Sequence, residues 1–139
     1  MAKDLYHEAL RIALEKDGWT ITHDPLPIKD KSRNIDYDID LGAEKLLVAE
    51  KGIEKITIEN KSFLKASLTN EFHGIFGQYL SYFEALQLLE YDYTLYLAVP
   101  KFAHERLQDY PFLRHLIEKY QIKTVIYDEN LQNIIAWEM

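Results

Sequence analysis

Apolar residues recur at helical spacing over residues 4 to 17, where Leu5, Ala9, Ile12 and Ala13 are flanked by Tyr6, Leu10 and Leu14. This stripe predicts an amphipathic helix, and Gly18 ends it. Trp19 and Ile21 follow, and then DPLPIKDKSRN. Pro25 and Pro27 are expected to stop regular structure there, with Lys29, Lys31 and Arg33 in a basic loop. Residues 35 to 50 read as extended, and Gly42 marks a bulge or a bend. Residues 51 to 53 read as a tight turn and 55 to 62 as the next strand, so 40 to 62 predicts a hairpin. A long helix is predicted over 69 to 90, from the period of Phe72, Ile75, Phe76, Tyr79, Leu80, Phe83, Leu86 and Leu89. TLYLAVP, 94 to 100, is almost wholly apolar, as in a central strand covered on both faces. Short helices at 101 to 108 and 112 to 119 flank Pro111, and strands at 122 to 127 and 134 to 137 flank the turn DENLQ.

No repeat, low-complexity tract or linker interrupts this pattern, so residues 1–139 read as one α/β domain. The 139 residues can bury a core without a disulfide or metal staple. There is no cysteine, which excludes thiolate zinc sites and a cysteine nucleophile. The charged N-terminus lacks the apolar core of a signal peptide, and no apolar run reaches membrane-spanning length. A soluble cytoplasmic protein with no membrane association is the expectation. A net charge of −7 disfavours general coating of nucleic acid, although a local basic patch or a basic partner can offset it.

The chemistry-bearing stretch is ITIENKSF, residues 56 to 63. In a strand, Glu59 and Lys61 share one face and Ile56 and Ile58 the other. The triplet alone is common and also fits a solvated strand face. Asp40 opens the preceding strand, 19 residues before Glu59, and a hairpin brings the start of one strand near the end of the next. Two carboxylates suit Mg2+ or Mn2+, which take oxygen ligands, and a nearby lysine can orient water or offset developing charge. Glu8, on the first helix, is placed to reach the same cleft. Glu44 shares a face with Asp40 in a regular strand and can replace or supplement it. Gln78 and Tyr82 stand one helical turn apart, suited to holding phosphate or water and to stacking on a base. The histidines form no pair at metal-ligand spacing, and no GxGxxG, P-loop or GxSxG occurs.

Asp40, Glu59-Asn60-Lys61 and the Gln78-to-Tyr82 spacing resemble the PD-(D/E)XK nuclease superfamily. The resemblance implies a restriction-endonuclease-like, Holliday-junction-resolvase-like core, a central mixed sheet flanked by helices. It further implies metal ligation by Asp40 and Glu59, with Glu8 often joining, catalytic assistance by Lys61, and a QxxxY pair like that of RecB-type nucleases. Over nearly the whole chain, AKDLYHEALRIALEKDGWTITHDPLPI, IDLGAEKLLVAEKG, ENKSF, GQYLSY and LYLAVP resemble the XisH family of cyanobacteria. That family is named as fdxN element excision controlling factors, which act with a site-specific recombinase. This implies DNA as the substrate and a recombinase and an XisI-like protein as partners, with self-association left open. Two functions follow, a Mg2+-dependent DNA endonuclease or a non-catalytic accessory protein that keeps the nuclease fold. Asn60 departs from the aliphatic residue usual in the middle of ExK, and if buried it needs hydrogen-bond partners.

Overall fold

The computed structural model describes residues 6–47 and 52–138. The predicted helical residues 4 and 5, and residues 48–51, which hold the end of the predicted strand and the first residue of the predicted turn at 51 to 53, lie outside the described residues; Gly52 and Ile53, expected in that turn, are instead the start of a strand. Helix α1 (His7–Lys16) buries Ala9, Leu10, Ala13 and Leu14. It ends at Gly18, whose φ of 95° suits a residue without a Cβ. There Trp19 N–H reaches back to Leu14 O at 3.0 Å and closes the helix.

Strands β1 (Thr20–His23), β2 (Leu26–Asp30), β3 (Ile35–Ile39), β4 (Leu41–Leu47) and β5 (Gly52–Asn60) follow, with a 3-10 turn at Lys31–Arg33. Then come α2 (Leu68–Leu88), β6 (Thr94–Pro100), α3 (Lys101–Leu107), α4 (Pro111–Lys119), β7 (Thr124–Asp128) and β8 (Asn133–Glu138). Six strands form one mixed sheet in the order β1-β4-β5-β6-β7-β8, and β2 and β3 form a separate two-stranded ribbon. β5, β6 and β7 run parallel, and the other neighbours are antiparallel. Helical crossovers between β5, β6 and β7 are what parallel pairing demands.

Helices cover both faces of the sheet. On one face, Leu10, Ala13 and Leu14 of α1 pack on Leu41, Ile56, Ile58, Ala98, Val125 and Tyr127. On the other, Phe72, Ile75 and Tyr79 of α2 pack with Leu97, Val99, Leu113 and Ile126, and with Leu26, Ile28 and Ile39 of the ribbon. β6 sends Tyr96 and Ala98 to the first face and Leu95, Leu97 and Val99 to the second, hence its unbroken apolar sequence. Tyr79 ties the second face together, since its hydroxyl donates to Leu95 O at 3.1 Å and accepts from Lys123 N–H at 3.2 Å. No helix among the described residues is long and apolar enough to cross a membrane.

The expectation differs from the structure at two further places. The proline-rich stretch forms β2, with buried Leu26 and Ile28 alternating with exposed Pro27 and Lys29. A two-stranded ribbon has free edges, where a proline costs no ladder bond. Its basic residues are paired in part, Lys29 to Asp36 at 2.7 Å and Arg33 to Asp30. The stretch expected to be extended from 35 is also, over its described residues 35 to 47, two strands in two different sheets, with Asp40 between them.

Leu10 has no exposed surface, and Leu10→Ala is expected to cost about 2–5 kcal/mol in urea denaturation. Ser67 caps α2 by accepting Asn70 N–H on its hydroxyl at 3.3 Å, so Ser67→Ala should cost about 1 kcal/mol in the same assay. Equal losses would contradict this ranking of core burial over capping.

Candidate functional site

Asp40 is where the chain leaves the ribbon for the main sheet. β3 ends at Ile39, β4 begins at Leu41, and Leu41 sits opposite Ile58. That register sets Asp40 beside Glu59 at the end of β5. Ile56 and Ile58 face α1, so alternation turns Glu59 to the α2 face.

Each acid accepts a backbone N–H from the other's strand end. Asp40 N–H donates to Glu59 Oε1 at 3.2 Å, and Asn60 N–H donates to Asp40 Oδ2 at 2.8 Å. Glu59 is 5 % exposed, and Asp40 is half-buried. Burial, and then the charge of Asp40, push the Glu59 carboxyl from 4.5 up to about 8, against the pull of Lys61. Burial also raises Asp40, opposed by the Asn60 N–H, by the charge of Lys61 and, whenever its ring is protonated, by that of His7. The two carboxyl groups stand close enough that the charge of Asp40 makes it harder for Glu59 to ionise.

Lys61 Nζ lies 3.7 Å from Glu59 Oε2, with about a third of its side chain exposed at 32 %. On α2, Gln78 hydrogen-bonds to Tyr82. Burial raises the Tyr82 hydroxyl, and the charges of Glu59 and Asp40 raise it further. The structure therefore brings Asp40, Glu59, Lys61, Gln78 and Tyr82 to one end of β5.

Glu8 and Glu44 do not join them. Glu8 is exposed and makes no hydrogen bond or ion pair with Asp40 or Glu59 among the described residues. The inward residue at the start of α1 is its neighbour His7, which lines up with Leu10 and Leu14. Glu44 lies opposite Lys55, four residues along β4 from Asp40, which is about 13 Å at strand rise.

Three further supports surround the site. Asn60, 1 % exposed, accepts from the Tyr127 hydroxyl at 2.8 Å, while its amide nitrogen has no partner among the described residues. Arg106 donates to the carbonyls of Phe63, Lys65 and Ala66 at 2.7, 2.9 and 2.9 Å, fastening the loop that follows Lys61. His7 and Asp24 pair beside the site, with Nε2 at 3.0 Å from a carboxylate oxygen.

The oxygen donors at the centre are the two carboxylates of Asp40 and Glu59. Among the described residues no group of three or more His, Asp or Glu is placed to hold a metal ion. A cation here would take two side chains from the protein and its remaining ligands from water or substrate, within the usual habit of Mg2+.

No curated protein matches the chain. Two solved structures do, over the full length of each. An XisH family protein from Nostoc punctiforme is 37% identical, with a TM-score of 0.84, covering 98% of this chain and 100% of that one. A fdxN element excision controlling factor protein from Anabaena variabilis is 36% identical, with a TM-score of 0.85, covering 99% of this chain and 100% of that one. The XisH protein profile matches residues 1–135. With that match over nearly its whole length, the chain belongs to the XisH family.

Proposed function

We propose that this protein is a restriction-endonuclease-like, divalent-metal-dependent DNA-cutting protein that supports excision of a DNA element. The observation that carries this reading is the pair of buried carboxylates, Asp40 and Glu59, held against each other beside Lys61 at the end of β5. Two carboxylates forced to share a proton gain from a hard divalent cation that replaces it. Asp40 and Glu59 would hold Mg2+ or Mn2+. Bound there, the ion would acidify a water and offset charge on the phosphate.

The chain's own groups do the rest. Lys61 presents an ammonium beside Glu59, where it neutralises charge that builds on a phosphate and holds a water by hydrogen bonds. Gln78 and Tyr82 present an amide and a hydroxyl that orient phosphate oxygens at the same rim. The excision role is carried over from the Anabaena variabilis protein, named as an excision controlling factor.

A second reading is favoured by the net charge of −7, unusual for a protein that grips DNA alone. In it, the nuclease fold serves as an accessory that binds a recombinase or an XisI-like protein. The two readings diverge in one assay. Purified protein is incubated with supercoiled and branched DNA and Mg2+ or Mn2+. On the first reading DNA is cut, and Glu59→Gln or Lys61→Ala lowers the rate at least about 100-fold. Absence of cutting, with excision in cells unaffected by either variant, leaves the accessory reading.

The acid pair also predicts a pH dependence. The folded Glu59 carboxyl titrates at about 8 against 4.5 for an ordinary one. A raised carboxyl binds its proton more tightly in the folded state, so its contribution to stability is complete below 4.5 and is lost as pH rises through about 8. Metal-free protein should lose melting temperature between pH 6 and pH 9, and Glu59→Gln should flatten that loss. Because a cation displaces the proton, the Tm gain from Mg2+ should be larger at pH 8.5 than at pH 6. A gain independent of pH would place the ion elsewhere.

A further inference from the structure

Beside the acid pair stands a second pair of ionisable groups that the proposed reaction leaves unused. His7 opens α1. Tyr6, just before it, packs edge-on against Phe102 at 5.7 Å, two residues past the end of β6. The start of α1 is thereby held at the end of the sheet where β5 delivers Glu59 and Asn60. Asp24 lies in the link between β1 and β2. His23 is opposite Gly42 and Leu26 is opposite Ile39, so the link carries Asp24 past Asp40.

The His7 ring is buried, with 4 % exposed. Its Nε2 lies 3.0 Å from both carboxylate oxygens of Asp24, and Arg11 Nη1 donates to Asp24 Oδ2 at 2.7 Å. A carboxylate only accepts, so Nε2 carries the proton, and in the neutral ring Nδ1 is left with a lone pair. That Nδ1 is buried and has no hydrogen-bond partner among the described residues. Buried polar atoms are almost always hydrogen-bonded, so His7 Nδ1, like the Asn60 amide nitrogen an exception beside the pair of carboxylates, points to a partner that comes with solvent or ligand. Among the described residues, His7 and Asp24 do not group with the acids as metal ligands. A role one layer out is what the geometry leaves for them.

We propose that His7 is a positioning residue of the Asp40–Glu59 centre, with Nδ1 accepting a hydrogen bond from a water that the Asp40 carboxylate also holds. The proposal rests on the metal-dependent reading of that centre. Asp24 fixes the tautomer and the ring plane, and Arg11 favours the ionised form of Asp24. The bridging water has two firm acceptors, which is enough to order it in a buried site. The assembly then limits how the Asp40 carboxylate can turn, as groups one layer out do at metal sites.

Two variants separate this role from simple packing. In His7→Gln the amide nitrogen can take the place of Nε2 and keep the bond to Asp24, but nothing replaces Nδ1. In His7→Asn the side-chain oxygen can take the place of Nδ1, but the bond to Asp24 is lost. Mn2+ affinity is measured by titration calorimetry on the full chain, with thermal unfolding of each variant alongside. His7→Gln is expected to weaken Mn2+ binding at least about 10-fold, and His7→Asn to recover most of that loss. If wild-type protein binds Mn2+ and His7→Gln binds it equally well, the positioning role is overturned and the metal centre stands. If wild-type protein binds no Mn2+, the metal-dependent reading falls and this proposal with it. A separate readout uses no metal. The 15N shifts of the neutral His7 ring should show the proton on Nε2 and a bare Nδ1, and a neutral ring with its proton on Nδ1 would overturn the assignment.

Discussion

Two acids clamp the backbone, Glu59 that of Asp40 and Asp40 that of Asn60, at the point where the chain passes from one sheet to another. Ile39 packs in the core on the α2 face and Leu41 in the core on the α1 face, although they lie only two residues apart. In a continuous strand they would share a face. The crossing at Asp40 therefore changes which side of the sheet the chain serves, and the reciprocal bonds satisfy backbone groups that such a break leaves without ladder partners. The interaction that stabilises this crossing also concentrates negative charge in a buried place. Fold and candidate chemistry have the same physical origin here.

The surroundings hold that charge in position more than they relieve it. Lys61 stands at 3.7 Å and partly exposed, so it moderates the repulsion without cancelling it. Tyr127 holds Asn60 from the α1 side, Arg106 fastens the carbonyls after Lys61, and Gln78 and Tyr82 close the α2 side. Each support comes from an element distant in sequence and near the ends of the parallel strands. Open α/β sheets commonly bind ligands there, outside the strand ends.

Much of this was legible in the sequence. The period of Leu10 and Leu14, the alternation of Ile56 and Ile58 with Glu59 and Lys61, and the apolar run of β6 each marked an element and its buried face. Asp40 could be placed because a hairpin puts its opening residue beside the end of the partner strand. The break at Asp40 was hidden, because Ile35, Tyr37, Ile39, Leu41 and Ala43 alternate without interruption across it. That continuity made Glu44 look like a neighbour of Asp40, whereas it pairs with Lys55. Glu8 and His7 are adjacent, and one position of helix phase decides which faces inward. The phase of Leu10 and Leu14 pointed to His7, but a carboxylate was the more familiar ligand. β2 was masked by its prolines. Arg106 could not be found at all, since it binds main-chain carbonyls, which leave no trace in side-chain spacing.

A divalent cation is proposed to sit between Asp40 and Glu59, and not at Glu44 or Glu8. Crystals soaked in Mn2+ and measured at the manganese absorption edge test it directly. An anomalous peak is expected between the Asp40 and Glu59 carboxylates, with Glu44 and Glu8 uninvolved. A peak at Glu44 or Glu8, or none near Asp40 and Glu59, would contradict it.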